Sequence, residues 1–299
     1  MSKIIGIDIG GTNFRIGFAD GSGNVSDFRK LPVKSILRSD DVLSDIAGFI
    51  EGYAGAREFD AVAAGFPATL NRERTRILQA PNLGYMENLP VVEYLEARLN
   101  VPVFAERDVT FALCYDMRKY NLPPEGITCG IYFGTGIGNA IMIDGVPLLG
   151  RNGVAGELGH IPVWGSDEMC GCGLRGCIEN LAGGKYLARI WRELWPESEI
   201  AGIFAEHGND SAVREFVSYM AVCAATEINI LDPDYVIIGG GVANMKGFPR
   251  ESLHSEIKAR TRKPYPAENL RVIYADDEPE KCVAGAGYYA CNRMARNLC

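Results

Sequence analysis

The chain of 299 residues contains one short sequence pattern twice, and this repeat limits the choice of fold more than any other feature. Residues 6–21, GIDIGGTNFRIGFADG, align without a gap on residues 130–145, GIYFGTGIGNAIMIDG. Five aligned positions are identical, and both copies have the order strand, glycine turn, strand, Asp-Gly turn. The repeat predicts two related α/β domains that arose by internal duplication. The alternative is two unrelated hairpins with common turn residues.

The domain boundary is expected where the pattern restarts. We predict an N-terminal domain at 1–120 and a C-terminal domain at 121–299, with the C-terminal helix, about 281–299, a candidate to pack back onto the first domain. A chain of this length fits two domains of ordinary size. Helices are expected at about 40–53, with Ser39 as the N-cap, and at about 178–194, 211–231, 249–262 and 281–296.

Charge and hydropathy argue against several classes of partner. The formal net charge is −8 and no run of Lys or Arg reaches five residues, so neither nucleic acid nor an anionic membrane is expected to bind. No apolar run has the length of a membrane-spanning helix. The N-terminus lacks the shape of a signal peptide, because Asp8 interrupts a short apolar stretch. We therefore expect a cytoplasmic protein with mostly reduced cysteines.

Three glycine-rich turns follow predicted strands and are candidate phosphate-binding loops. Glycines let backbone N–H groups approach a phosphate closely, and a Thr hydroxyl adds a donor. The candidate phosphate ligands are Asp8, Gly10, Gly11 and Thr12, then Gly134, Thr135 and Gly136, then Gly239, Gly240 and Gly241. Asp8 beside a phosphate needs a counter-cation, most simply Mg²⁺ held through water. A single glycine turn is more often an ordinary hairpin turn, so this prediction depends on the duplication.

Three longer motifs in the second half, together with the first glycine loop, resemble a known family. DIGGT (8–12) is followed by GVAGELGHIPV (153–163), CGCGLRGCIE (170–179) and DPDYVIIGGGV (232–242). Together they resemble the ROK family of bacterial sugar kinases and sugar-sensing repressors, within the actin-like sugar kinase superfamily. The resemblance covers nearly the whole chain. It implies an α/β, actin-like (ribonuclease H-like) fold of two domains with an interdomain cleft, and ATP with Mg²⁺ across the glycine loops.

Asp108 is the predicted catalytic base. It stands after a predicted strand and before a helix, in VFAERDVTFAL (103–113). A carboxylate within hydrogen-bond reach can take the proton of a sugar hydroxyl as that hydroxyl attacks. The resemblance places the family's catalytic Asp at this position. From the residues alone, a helix N-cap is an equally good interpretation of Asp108.

The resemblance also implies a set of hexose ligands. They are Gly65, Asn82, Arg107, Asp108, Glu157, His160 and Glu179. ROK glucokinases usually have an Asn that contacts ring hydroxyls where this chain has Arg107, which is longer, charged and without an acceptor. ERDV (106–109) and the stretch 228–253 resemble the D-allose kinase branch, so D-allose is the expected hexose. Glucose, N-acetylmannosamine, mannose and fructose are the alternatives.

Three of the nine cysteines lie within eight residues, in CGCGLRGC (170–177). A disulfide is disfavoured by the expected compartment and the odd count, and a redox pair usually has the spacing C-x-x-C. The third interpretation is a structural zinc site, which takes four thiolate or imidazole ligands. The resemblance places His160 on the metal, so Cys170, Cys172, Cys177 and His160 form a Cys₃His set in a loop at 160–177.

The leading hypothesis is an ATP-dependent hexose kinase, a phosphotransferase whose partners are a hexose and ATP. A sugar-sensing repressor or another non-enzymatic sugar-binding protein is the hypothesis from a different class. A repressor needs a DNA-binding helix-turn-helix domain, normally N-terminal, whereas the first kinase-like strand is expected to begin at residue 3. Members of the family often form dimers, so a homodimer is a candidate assembly.

Overall fold

The computed structural model describes residues 2–80, 83 and 86–297. The chain divides into two units. The first unit consists of Met1–Pro123, Leu149–Ala155 and Glu278–Cys299, and the second of Pro124–Leu148 and Gly156–Asp277. The segment Leu149–Ala155 belongs to the first unit, whereas the boundaries predicted from the sequence include it in the C-terminal domain.

The elements are numbered here in chain order. The strands are β1 Ile4–Ile9, β2 Asn13–Ala19, β3 Val25–Pro32, β4 Ala61–Phe66, β5 Thr69–Leu70, β6 Ile77–Gln79, β7 Val103–Arg107, β8 Ile127–Phe133, β9 Ile137–Ile143, β10 Val146–Pro147, β11 Tyr235–Gly239 and β12 Val272–Tyr274. The helices are α1 Val42–Ala54, α2 Val91–Leu99, α3 Asp108–Lys119, α4 Glu179–Ala182, α5 Gly184–Leu194, α6 Ile203–His207, α7 Ser211–Leu231, α8 Arg250–Arg260 and α9 Lys281–Asn297. Short 3₁₀ turns lie at Val33–Ser35, Leu158–His160 and Ile200–Gly202.

A mixed five-stranded sheet lies at the centre of the first unit, in the order β3-β2-β1-β4-β7. β1, β2 and β3 pair antiparallel, whereas β1, β4 and β7 run parallel. β1 and β4 are buried along their whole length, and apart from Asp8 in β1 their sequences are apolar or glycine. β5 and β6 form a separate small hairpin.

Helix α9 packs in the first unit against α3 and the strands β1, β2 and β4. A Cβ at Gly285 would lie 1.9 Å from the backbone oxygen of Phe111, so α3 and α9 touch backbone to backbone at this glycine. The C-terminal segment is therefore part of the core that supports the start of α3.

The start of α1 corrects one expectation from the sequence. Asp41, not Ser39, is the N-cap, and its Oδ1 accepts the backbone N–H of Ser44 at 3.1 Å. The N–H of Ser39 instead donates to Oδ2 of Asp45 at 2.8 Å. Asp41 directly precedes the first helical residue, which is the position from which a side chain reaches the free amides of the first turn.

The second unit repeats the sheet of the first, in the order β10-β9-β8-β11-β12. β8, β9 and β10 pair antiparallel, and β8, β11 and β12 run parallel. Each strand of one sheet thus has a counterpart of the same direction at the same place in the other. This topology confirms the internal duplication that the repeated sequence pattern predicts.

The helix expected at 178–194 is two helices, α4 and α5, because Gly183 between them is extended (φ −87°, ψ 160°). The break brings the backbone N–H of Gly184 to 2.8 Å from the carbonyl oxygen of Gly134. A Cβ at Gly184 would lie 2.5 Å from that oxygen, so glycine is needed for this approach. Within the described residues, no helix combines the length and apolar character required to cross a bilayer.

A buried polar pair lies in the core of the second unit. Glu227 on α7 and Asn139 on β9 are 4% and 1% exposed. Asn139 Nδ2 donates to Glu227 Oε2 at 3.1 Å, whereas Asn139 Oδ1 has no hydrogen-bond partner among the described residues. Burial raises the pKa of Glu227 to about 8. A protonated Glu227 has no buried charge, so the core favours the neutral acid at pH 7.

Candidate active site and metal centre

The carboxyl ends of three parallel strands carry polar residues in register in the first unit. Asp8 on β1 is the register partner of Gly65 on β4, and Gly65 is the partner of Glu106 on β7. Asp108, two residues beyond Glu106, is the first residue of α3. Ligands of α/β proteins bind at this edge of a parallel sheet. The structure therefore brings Asp8, Gly65 and Asp108 together, as the predicted site requires.

Asp108 has the electrostatic environment of a general base. Burial is the largest cause that raises the pKa of its carboxyl to about 7, and the charge of Asp8 raises it further. The backbone N–H of Val109, 2.8 Å from Oδ1, and the guanidinium groups of Arg107 and Arg15 act in the opposite direction. A carboxyl whose pKa lies near neutrality is suited to accept a proton from a hydroxyl. The N-cap position belongs to Arg107, so the N-cap interpretation of Asp108 is wrong.

Gly65 lies directly beside the start of α3. A Cβ at this position would be 3.3 Å from Cα of Asp108 and 3.1 Å from the ring of Phe111. Gly65 thus lets β4 approach α3 closely and fixes the place of Asp108. Asn82, the other hexose ligand expected in this half of the chain, lies outside the described residues.

Asp8 forms an ion pair that the sequence analysis missed. Arg15 Nη1 lies 2.7 Å from Asp8 Oδ2, across the hairpin of β1 and β2. Burial raises the pKa of Asp8, and the charge of Arg15 opposes this. The backbone N–H of Gly10 closes the turn on the Asn13 oxygen at 2.8 Å, with residues 11–12 exposed. Mg²⁺ at phosphoryl-transfer sites commonly takes one or two carboxylates with phosphate oxygens and water, so Asp8 fits a Mg-ATP site.

The second and third glycine loops meet in the second unit. Gly240 has a φ of +89°, and a Cβ there would lie 2.5 Å from the Phe133 oxygen at the end of β8. The N–H of Val242 donates to the same oxygen at 2.9 Å, and the N–H of Gly134 donates to the Gly136 oxygen at 2.9 Å. The candidate phosphate ligands brought together here are Gly134, Thr135, Gly136, Gly239, Gly240 and Gly241. Both loops lie at the carboxyl ends of neighbouring parallel strands, β8 and β11.

His160, Cys170, Cys172 and Cys177 offer four ligand atoms within 4.8 Å of one another. Sγ of Cys172 and Cys177 are 3.7 Å apart, and Sγ of Cys170 lies 3.7 Å from Nδ1 of His160. Tetrahedral zinc, with Zn–S about 2.3 Å and Zn–N about 2.0 Å, places such atoms roughly 3.5–3.8 Å apart. The four side chains therefore fit a zinc ion. Burial raises the pKa of Cys177 to about 12, so zinc binding would release its proton.

The three remaining hexose candidates of the second unit lie around the turn that carries His160. Nε2 of His160 is 3.7 Å from Oε2 of Glu157, while Nδ1 faces the cysteines. Glu179 begins α4, and its Oε2 would lie 3.4 Å from a Cβ at Gly159. One imidazole nitrogen thus faces the three cysteines and the other faces a carboxylate. At 3.7 Å the His160–Glu157 pair lies within ion-pair distance but is longer than a hydrogen bond.

Arg107 is 8% exposed and makes a backbone contact. Its Nη2 donates to the Ala155 oxygen at 2.9 Å. Nearby, Arg74 forms a buried ion pair with Glu106, Nε to Oε2 at 3.0 Å, and donates to the Gly153 oxygen at 2.8 Å. Both arginines therefore hold the segment Leu149–Ala155 within the first unit. The pairing of Arg74 with Glu106 is not predictable from the sequence, since no local pattern relates positions 32 residues apart.

Known proteins are similar to this chain over most of its length. The ROK family model matches residues 4–293. A glucokinase of Thermotoga maritima is 30% identical over 264 residues, which cover 81% of this chain and 82% of the glucokinase. An N-acetyl-D-glucosamine kinase of Salmonella paratyphi B is 30% identical over 261 residues, covering 80% and 84%.

A solved structure agrees with this likeness. The crystal structure of a ROK family glucokinase from Streptomyces griseus, in complex with glucose and AMPPNP, matches with a TM-score of 0.81 at 25% identity. The match covers 97% of this chain and 100% of that one. It agrees with the actin-like α/β fold expected from the sequence motifs. The chain belongs to the ROK family.

Proposed function

We propose that this protein is an ATP-dependent hexose kinase that transfers the γ-phosphate of ATP to the 6-hydroxyl of D-allose. The kinase assignment depends mainly on Asp108. Its side chain has a pKa of about 7 and lies beside Asp8, at the C-terminal ends of parallel strands. Membership of the ROK family and the kinase relatives support the same activity.

In the proposed reaction, Asp108 accepts the proton of the 6-hydroxyl while the hydroxyl oxygen attacks the γ-phosphorus of ATP. The bond from that phosphorus to the bridging oxygen breaks, and ADP leaves. Because phosphoryl transfer needs little covalent help from the protein, positioning and charge stabilisation supply most of the rate. Mg²⁺ held by Asp8 through water would neutralise phosphate charge.

The hexose ligands of the proposal fall into two sets. Gly65, Asn82, Arg107 and Asp108 come from the first unit, and Glu157, His160 and Glu179 from the second. Carboxylates and imidazole suit sugar hydroxyls because they donate or accept in defined directions. A structural zinc ion on His160 and the three cysteines would fix the loop that precedes Glu179.

The choice of D-allose depends on Arg107. A glucokinase-type Asn at this position could both donate to and accept from a hydroxyl, whereas Arg107 has donors only. Its Nη2 already donates to the Ala155 oxygen. Allose differs from glucose in configuration at C3 alone, so one altered hydroxyl contact can decide between them. Glucose is the alternative, because the Thermotoga maritima relative is a glucokinase.

The test is kcat/KM across a panel of D-allose, glucose, mannose, fructose, N-acetylmannosamine and N-acetylglucosamine. We expect D-allose to give the highest value. A tenfold preference for glucose contradicts the allose assignment and leaves the kinase assignment in place. Failure to release ADP with every hexose, while a hexose binds, supports a non-enzymatic sugar-binding protein instead. A kinase works where ATP is available, so the cytoplasm is the proposed location.

A further inference from the structure

Glu179 touches two parts of the second unit that the proposed reaction assigns to different substrates. Its Oε2 accepts the backbone N–H of Ile137 at 2.8 Å, in the second glycine loop. The same oxygen would lie 3.4 Å from a Cβ at Gly159, in the turn that carries His160. The carboxylate therefore contacts a phosphate loop on one side and a hexose-binding turn on the other.

The glycine loop has room for this carboxylate only because residue 136 lacks a side chain. A Cβ at Gly136 would lie 2.1 Å from Oε2 of Glu179 and 2.7 Å from its Cδ. Gly134, two residues earlier in the same loop, would meet nothing within 4 Å. One added methyl group therefore displaces Glu179, whereas the same group at the neighbouring glycine does not.

The stretch that begins with Glu179 also holds the loop through its backbone. The N–H of Gly184 donates to the Gly134 oxygen at 2.8 Å, and the N–H of Lys185 donates to the Thr135 oxygen at 3.0 Å. These two contacts fix the start of the loop. The Ile137 contact is made by a side chain that is also a proposed hexose ligand, so of these three contacts it is the one that can respond directly to the sugar.

We propose that Glu179 couples the hexose site to the ATP site. The inference rests on the proposed function, because it takes Glu179 as a hexose ligand and the loop as a phosphate ligand. A carboxylate accepts several hydrogen bonds, so one oxygen can hold Ile137 N–H while the other accepts sugar hydroxyls. Hexose binding orders the carboxylate, the carboxylate orders the loop, and the ordered loop binds the nucleotide phosphates more tightly. Thermodynamic linkage requires the reverse effect to have the same size.

The experiment measures how much each ligand tightens the binding of the other. Calorimetry on the full chain gives the Kd of AMPPNP with and without the panel's best hexose, and the Kd of that hexose with and without AMPPNP. In the wild-type protein we expect each ligand to tighten the other by about fivefold or more, and by equal factors. Gly136→Ala should bring both factors close to 1, because the methyl group displaces Glu179.

Gly52→Ala on helix α1 is the control, since a Cβ there would meet nothing within 4 Å and the residue belongs to neither proposed ligand set. Both of its coupling factors should equal those of the wild type. If Gly136→Ala fails to fold, Glu179→Gln and Glu179→Ala decide the question. The Gln oxygen still accepts Ile137 N–H, so Glu179→Gln should keep more coupling than Glu179→Ala.

Three outcomes overturn the inference: no coupling in the wild type, unchanged coupling in Gly136→Ala, or coupling in Glu179→Ala that equals the wild-type value. Each of them leaves the kinase assignment intact, provided that the wild-type protein phosphorylates a hexose of the panel. Absence of phosphorylation with every hexose contradicts the proposed function instead.

Discussion

The pKa of Asp108 predicts how activity depends on pH. The proposed base works only as a carboxylate, and burial together with the charge of Asp8 raises its pKa to about 7. Because the pKa is raised, the group is protonated below this pH and ionised above it. The ionised fraction is about one half at pH 7, about one tenth at pH 6 and about one hundredth at pH 5. We therefore expect kcat/KM to fall about tenfold per pH unit below pH 7.

The assay must report on the free enzyme, which is the state that the structure describes. The pH profile of the initial rate does so when both the hexose and Mg-ATP are kept well below saturation. Direct quantification of the hexose phosphate between pH 5 and 9 avoids coupling enzymes that have their own pH dependence. An acid limb centred near pH 4, the ordinary value for an aspartate, would refute the argument from burial and charge.

A substitution near Asp8 tests the physical cause of the raised pKa. Arg15→Met removes a cation that lowers the pKa of Asp108 and leaves Asp8 without this counter-charge. The acid limb should move to higher pH. Arg29→Met on the exposed strand β3, where Arg29 pairs with Asp27, is the matched control and should leave the limb in place. A limb that Arg15→Met does not move contradicts the electrostatic account.

Three further substitutions test other parts of the structure. Because burial raises the pKa of Glu227 from 4.5 to about 8, the wild-type protein loses stability as the pH rises between these two values. Glu227→Gln cannot ionise and therefore removes this loss. In urea unfolding at pH 7 the variant should be more stable by roughly 3 kcal/mol, and equal stability contradicts this. Cys172→Ser should abolish the binding of about one zinc ion per chain, measured by mass spectrometry of the metal content. It should also weaken hexose binding more than ATP binding. Wild-type protein that contains no zinc would refute the metal site. Arg74→Met leaves the fully buried Glu106 without its ion-pair partner and should lower the free energy of unfolding by about 3–5 kcal/mol. The double variant Arg74→Met/Glu106→Gln should recover most of this stability, because it also removes the buried charge. A cost below about 1 kcal/mol would contradict the role of that pair.

The duplication was predictable because its signal is local. A strand, a glycine turn and a second strand occupy sixteen consecutive residues in each copy, and residues this close in sequence pair directly. The Asp8–Arg15 ion pair carries a similar signal, since the two residues face each other across the β1–β2 hairpin. The helix break at Gly183 was not predictable from helical periodicity, because it serves contacts with Gly134, which lies far away in sequence.

Residue types in the site were predictable, whereas most of their partners were not. The four candidate zinc ligands lie within a short stretch, so their spacing alone limits the chemistry. The contact of Glu179 with Ile137 spans 42 residues, and that of Arg107 with Ala155 spans 48. Such contacts depend on strand register and on the placement of Leu149–Ala155 in the first unit. Neither can be predicted from the hydrophobic periodicity of the sequence. Arg107 is an example, since the sequence does not indicate that its side chain donates to the Ala155 oxygen.

The central claim is that Asp108 activates a hexose hydroxyl for attack on ATP. The most direct measurement compares phosphate transfer from ATP to the best hexose by the wild-type protein and by Asp108→Asn, with the hexose Kd measured in parallel. The account predicts that the variant loses at least about a hundredfold in kcat while its hexose Kd stays close to that of the wild type. Turnover near the wild-type value in Asp108→Asn would contradict it.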